Sequence, residues 1–187
     1  ILLNGDIEVV KGMEGLEKVE FKLLDDEKLE AFYTSGGAAH TINTMKARGV
    51  KNCSYKTIRY KNHRDAVRFL IRDAKLSDEC LESVFKQGGC RSTGDVVLIK
   101  SEVSSGDLRW GKEIIVGYDD EFSAMQKSTA FPISSVAALM AEGNFDDRKI
   151  ERRGYHERLP IILNYKDVPY GKFTRKLREL GLTIDNS

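Results

Sequence analysis

The chain has 187 residues, 41% of them hydrophobic and 32% charged, and 30 basic against 29 acidic side chains leave a formal net charge of +1. That length suits one domain, or a domain with an appendage, and the charge balance supplies no bulk field for nucleic acid or an anionic membrane. No apolar run approaches membrane-spanning length and no signal-peptide pattern leads the chain. Cys53, Cys80 and Cys90 are an odd set without metal-ligand spacing, and read as free thiols in a reducing, cytoplasmic compartment. The chain opens at Ile1 rather than Met and runs at once into structured-looking sequence, the pattern of a piece of something longer.

Residues 16–24 alternate, with Val19 and Phe21 on one side and Glu20 and Lys22 on the other, as a half-buried strand does. Residues 25–28 are a charged turn, and residues 29–33 a second strand broken by Gly36 and Gly37. Ala38, Ile42 and Met45 at helical spacing predict a helix over 38–48, with Gly49 at its end. Residues 52–60 are rich in strand formers. Residues 63–74 read as a helix with Val67, Leu70, Ile71 and Ala74 on one face. Ser77 caps a further short helix to Phe85, with Asp78 and Glu79 in the first turn favouring its dipole.

Two strands, 95–103 and 109–118, flank Ser104-Ser105-Gly106-Asp107 and predict a hairpin with a longer loop. Residues 123–142 form the longest predicted helix, ended by Gly143 and kinked or broken at Pro132. Residues 144–154 are strongly charged. Pro169 opens a last helix to Leu180, with Phe173, Leu177 and Leu180 inward and Gly181 as its cap. This order predicts an α+β fold: a mixed, largely antiparallel sheet covered by helices, mainly on one face. Residues 1–143 are expected to form the α+β domain, and residues 144–187 a charged linker and a C-terminal helix packing on it.

Strand alternation puts Thr57 and Arg59 on one face, and Lys56, Ile58 and Tyr60 on the other. With Ile58 marking the buried face, Thr57 and Arg59 point to solvent or a cleft, where a guanidinium fork and a hydroxyl suit a carboxylate. A helix start at His63 adds backbone N–H groups. Thr34-Ser35-Gly36-Gly37 has the small residues of an anion-binding turn, without dinucleotide-fingerprint spacing. Each feature also has a plainer reading. Arg59 serves equally as an exposed strand residue in a surface ion pair, His63 as a polar helix start, and residues 34–37 as a strand-to-helix turn. Residues 88–94 lack the Gly-Lys-Ser/Thr ending of a phosphate loop, and Cys90 within them has no His placed to activate it. Arg64, Arg68 and Arg72 form a helix row that reads as a solvated face. Gln126, Lys127, Ser128 and Thr129 cluster polar groups at a helix start. His40, His63 and His156 fit no zinc spacing, so no metal is expected.

The run Leu29-Glu30-Ala31-Phe32-Tyr33-Thr34-Ser35-Gly36-Gly37, followed by Lys56-Thr57-Ile58-Arg59-Tyr60 and His63, resembles the saccharopine dehydrogenase family. It is closest in pattern to the substrate-binding domain of the glutamate-forming and lysine-dehydrogenase-like members, which show L-x-A-F-x-T-x-G-G and then K-T-x-R-Y-P-G-H. Met125-Gln126-Lys127-Ser128-Thr129-Ala130 is similar to the helix start by which that family's chain leaves the substrate domain. The resemblance spans residues 15–143 and the last helix. Lys61-Asn62 departs from the usual Pro-Gly, and Lys127-Ser128 from the pair often found there.

The resemblance implies the substrate-binding and dimerisation domain of an oxidoreductase using NAD or NADP, acting on a C–N bond of saccharopine, lysine or a related amino acid. The family's Rossmann domain, which precedes this region, has no counterpart here, so the chain alone is expected to be inactive. By the resemblance Arg59 holds a substrate carboxylate, assisted by Thr57. Thr34, Ser35, Gly36 and Gly37 edge the cleft, with Tyr60 beside it and His63 orienting an amine or a water. Lys127, Ser128 and Thr129 would face the cofactor, and no general base is assigned. The implied partners are an amino-acid-like carboxylate substrate and a second copy in a homodimer, with neither nucleic acid nor membrane. A non-catalytic small-molecule-binding or protein-interaction module of the same fold is the alternative, and Lys61-Asn62 favours it.

Overall fold

The computed structural model describes residues 1–21, 24, 28–35, 39–89, 94–145 and 165–184. The chain divides into two units, Ile1–Arg91 and Ser92–Ser187, both mixing helices with antiparallel strands in an α+β fold. The boundary therefore falls near residue 91, not at the expected 143/144. The reason is one shared core: the C-terminal helix and the hairpin bury their apolar side chains together. Every strand pair among the described residues is antiparallel, and the strands form three small sheets rather than one.

The first unit opens with a hairpin of β1 (Leu2–Leu3) and β2 (Asp6–Ile7). Its turn is Asn4-Gly5 with φ of 52° and 94°, the left-handed pair that Asn-Gly supplies most readily. Leu2 exchanges both backbone hydrogen bonds with Cys53, at 2.8 and 2.9 Å. A three-stranded sheet comes next, in the order β3 (Glu17–Val19), β4 (Leu29–Phe32), β5 (Thr57–Tyr60). The central strand β4 buries Leu29, Ala31 and Phe32, and Phe21 and Ile42 are buried in the same unit. Helix α1 (Ala39–Ala47) supplies Ile42 and ends at Gly49, whose φ of 76° is the left-handed stop expected there.

Residues 63–74 are not one uniform helix. Helix α2 (His63–Arg68) runs into a π-helical turn, Phe69–Asp73, closed by the Ala74 amide on the Phe69 carbonyl at 2.9 Å. The wider turn rotates the residues within and beyond it, so Ile71 and Ala74 are exposed while Val67 and Leu70 stay half-buried. It also breaks the even spacing of Arg64, Arg68 and Arg72. Helix α3 (Asp78–Gly89) is longer than expected, and the Ser77 hydroxyl accepts the Cys80 amide at its start.

The second unit is built on a hairpin of ten-residue strands, β6 (Val96–Ser105) and β7 (Leu108–Gly117). Its loop is only Gly106-Asp107, tighter than predicted, with Gly106 at φ 58° taking the left-handed position. Helix α4 (Ala124–Ala141) continues through Pro132 without breaking into two. Helix α5 (Tyr170–Glu179) comes after a single helical turn, Tyr165–Asp167, and leads to β8 (Thr183–Ile184), which pairs with β7. Val116, Ala124, Leu177, Leu182 and Ile184 form the buried core, with Val97, Ile114, Phe131 and Phe173 packed against it. Leu180, expected inward, is exposed; Leu182 and Ile184 take that role because Gly181, at φ 86°, turns the chain back into a strand. Of the charged segment 144–154, residues 146–154 lie outside the described residues. Among those described, no helix is long and apolar enough to cross a membrane.

The start of α4 is held almost wholly by side chains. Asp95 accepts the Ala124 and Met125 amides at 2.9 and 3.0 Å, and Ser123 and Gln126 close a reciprocal capping box. These bonds to the charged form hold the Asp95 carboxyl below the ordinary range; Asp119 is held low by Lys127 and by the Phe122 and Glu121 amides. A depressed carboxylate contributes stability above its unfolded pKa and loses it as pH falls through the lower folded value. Acid titration followed by circular dichroism should therefore weaken this unit below the ordinary carboxylate range. Asp95→Asn should be less stable near neutrality and less sensitive to acid; an unchanged acid profile would refute the assignment.

Candidate functional site

The antiparallel register of the first unit sets the site. Thr57 lies opposite Phe32 and Arg59 opposite Glu30, while Lys18 of β3 lies opposite Glu30 on its other side. Directly opposed residues share a face, so Lys18, Glu30, Phe32, Thr57 and Arg59 lie on one side of the sheet. Ala31, Ile58 and Tyr60 lie on the other, with Leu29. The predicted alternation of Thr57 and Arg59 against Ile58 and Tyr60 is what the strand adopts.

Beyond the end of β4, the Thr34 hydroxyl meets the Thr57 hydroxyl at 2.5 Å, joining residues 23 apart in sequence. This contact joins the two sequence motifs. Ser35 is exposed beside it, and Gly36 and Gly37 lie outside the described residues. Tyr33 packs close to both Gly15 and Lys56. A side chain at Gly15 (φ 68°) would fall 2.3 Å from the Tyr33 ring, and the Lys56 ammonium sits 4.9 Å from that ring's centre. Lys56 is also paired with Glu17 at 2.7 Å.

Arg59 is exposed, and one of its guanidinium nitrogens donates to the Ile58 carbonyl at 2.8 Å. Its charge reaches His63: burial first, and then Arg59, hold the imidazole below its ordinary pKa, so it is mainly neutral at pH 7. Asn62 precedes His63 at φ 70°, a left-handed conformation that glycine adopts freely and Asn tolerates. The departure from Pro-Gly at residues 61–62 thus keeps a residue able to take that turn. The Asn62 amide donates to Glu30 Oε2 at 3.1 Å. Helix α2 is only six residues long, so its dipole adds less to anion binding than expected.

Glu30 is a residue that strand alternation alone does not single out. Glu30 stands between Lys18 and Arg59 in the cross-strand row, and its carboxylate accepts the Asn62 amide in the turn before His63. Alternation along 29–33 places Glu30 with Phe32, but only the register shows which cation each faces. Tyr60 is exposed on the opposite face from Arg59, so it does not converge with Thr57.

Lys127, Ser128 and Thr129, which the resemblance turns toward a cofactor, each have a partner within the second unit. Lys127 is buried against Asp119, and the Ser128 and Thr129 hydroxyls both donate to the Met125 carbonyl, at 3.1 and 2.8 Å. The cluster serves its own helix, whose N-terminal amides are already taken by Asp95 and Ser123. Cys53 and Cys80 are free thiols; Cys90 lies outside the described residues. No family model matches the chain.

Proposed function

We propose that the first unit binds a small amino-acid-like molecule through its carboxylate, on the face carrying Thr34, Thr57, Arg59 and His63. The observation that carries this reading is the Thr34–Thr57 hydroxyl contact, which brings two distant motifs to one strand end, two residues from Arg59. Arg59 supplies the charge and the fork, Thr57 a hydroxyl whose orientation Thr34 sets, and neutral His63 a hydrogen-bonding group for the ligand's amine or a water. Glu30 balances the two flanking cations and leaves the row one positive charge in excess. In keeping with the resemblance in its motifs, we propose the substrate-binding part of a cytoplasmic, saccharopine-dehydrogenase-like oxidoreductase. NAD or NADP would supply the hydride chemistry there, and this unit would bind and orient the substrate.

Titration calorimetry of the 187-residue chain with L-glutamate, L-lysine and saccharopine tests the ligand. Binding should favour carboxylate-rich compounds and weaken as pH falls through the His63 titration, because the imidazolium can no longer accept from the ligand's ammonium and repels it. Arg59→Gln should weaken it about tenfold or more, the loss of a charge-assisted hydrogen bond. Equal binding by Arg59→Gln would remove Arg59 from the site. No heat with any of the three ligands at millimolar concentration would overturn the reading.

The exposed Phe69 and Ile71, with Val84 and Phe85 on α3, favour the second reading, a protein-interaction module.

A further inference from the structure

One face of the β6–β7 hairpin changes character along its length. Directly opposed residues share a face, so Val97 with Val116, Ile99 with Ile114, Ser101 with Lys112 and Val103 with Trp110 form successive rows, roughly 7 Å apart. The first rows feed the core: Val116 is buried in it, and Val97 and Ile114 pack against it. Farther along, the same face opens to solvent, and Trp110 is 50% exposed.

Lys112 stands where the face turns outward, and it is half-buried. Its ammonium donates to the Tyr170 hydroxyl at 2.8 Å, 5.4 Å from the centre of the Tyr170 ring and 5.9 Å from that of Trp110. Tyr170 is the first residue of α5, whose Phe173 and Leu177 belong to the core, so its backbone is anchored there while its side chain stays 58% exposed. The groups around this ammonium are a phenol and two ring faces, which are neutral, so the cluster carries a full positive charge.

An ammonium has three N–H donors, and Tyr170 takes one. The Tyr170 hydroxyl, having accepted from Lys112, keeps its own proton to donate. Two donors 2.8 Å apart suit one carboxylate, which accepts from each with a different oxygen. Beside them Trp110 offers an open ring, with Val103 directly opposite and Leu108 one row on, both exposed.

We propose that Lys112, Tyr170 and Trp110 form a second ligand site, for a small carboxylic acid whose aromatic ring lies two or three bonds from the carboxylate. The carboxylate accepts from the Lys112 ammonium and the Tyr170 hydroxyl, and the ring covers Trp110 and Val103. An α-amino acid suits the site less, because its own ammonium would come beside Lys112. The proposal rests on the second unit alone and is independent of the ligand proposed for the first.

Trp110 is the one tryptophan of the chain, so its fluorescence reports this site and not the first unit. Titration of the 187-residue chain with 3-phenylpropionate should saturate with a dissociation constant of about 1 mM or below. Neutral 3-phenylpropionamide, and L-phenylalanine with its added ammonium, should bind about tenfold more weakly. Lys112→Met should weaken the acid about tenfold, whereas Arg59→Gln in the first unit should leave it unchanged. Tyr170→Phe removes a single oxygen from an exposed ring, so it should keep the parent's circular dichroism and still weaken the acid severalfold. No saturable change up to about 10 mM, equal binding of the amide, or an unchanged affinity in Tyr170→Phe would each overturn the proposal. Tighter binding of acetyl-glycyl-phenylalanine than of 3-phenylpropionate would give the two donors to a peptide's C-terminal carboxylate and overturn the small-acid reading.

Discussion

Phe32→Ala should destabilise the first unit by about 3–5 kcal/mol, the usual cost of emptying a buried aromatic site. Phe32 is 5% exposed on the central strand, on the same face as Thr57 and directly opposite it. The cavity would open beneath the strand end where Thr34 and Thr57 meet, so the carboxylate ligand should bind more weakly as well. Amide hydrogen exchange across Thr57–Tyr60, with and without urea, reads both effects because these amides belong to β5. Phe32→Leu should retain most of the stability by keeping the site apolar and nearly filled. A loss below about 1 kcal/mol for Phe32→Ala would mean that the site collapses around the smaller side chain, and that Phe32 does not support the hydroxyl pair.

Leu177→Ala should cost the second unit about 2–5 kcal/mol, whereas Leu180→Ala should stay within about 0.5 kcal/mol of the parent. Leu177 is 5% exposed in the core with Val116, Ala124, Leu182 and Ile184, while Leu180 at the end of the same helix is 43% exposed. Trp110, the one tryptophan of the chain, lies on β7 and reports this unit in a urea titration by fluorescence. Equal losses at 177 and 180 would contradict the packing of α5. The two leucines discriminate well because helical periodicity alone assigns both to the inward stripe.

The leucine pair shows where periodicity stops being informative. A stripe at 173, 177 and 180 continues only while the helix does, and Gly181 ends it by taking a left-handed backbone. The π-helical turn at Phe69–Asp73 is a similar case: one wider turn moves Ile71 and Ala74 off the face that regular spacing assigns them. The α+β class was legible because alternation and helical spacing are local properties. Sheet number and unit boundary were not, since both depend on pairings such as Leu2 with Cys53 and Ile114 with Ile184.

For the site, residues 56–60 by themselves dictate that Thr57 and Arg59 share a face, because a strand's side chains alternate whatever it pairs with. Asn4-Gly5 likewise carries its hairpin in two residues, a local signal of the same kind. Tertiary structure alone decided that Thr34 bonds Thr57, that Glu30 stands across from Arg59, and that Lys127, Ser128 and Thr129 are spent on their own helix. The physical reason is that register is a relation between strands: sliding one strand by a single residue would turn every side chain on it to the other face. Local sequence determines which groups a strand offers on each side. Only the folded sheet determines which groups they meet.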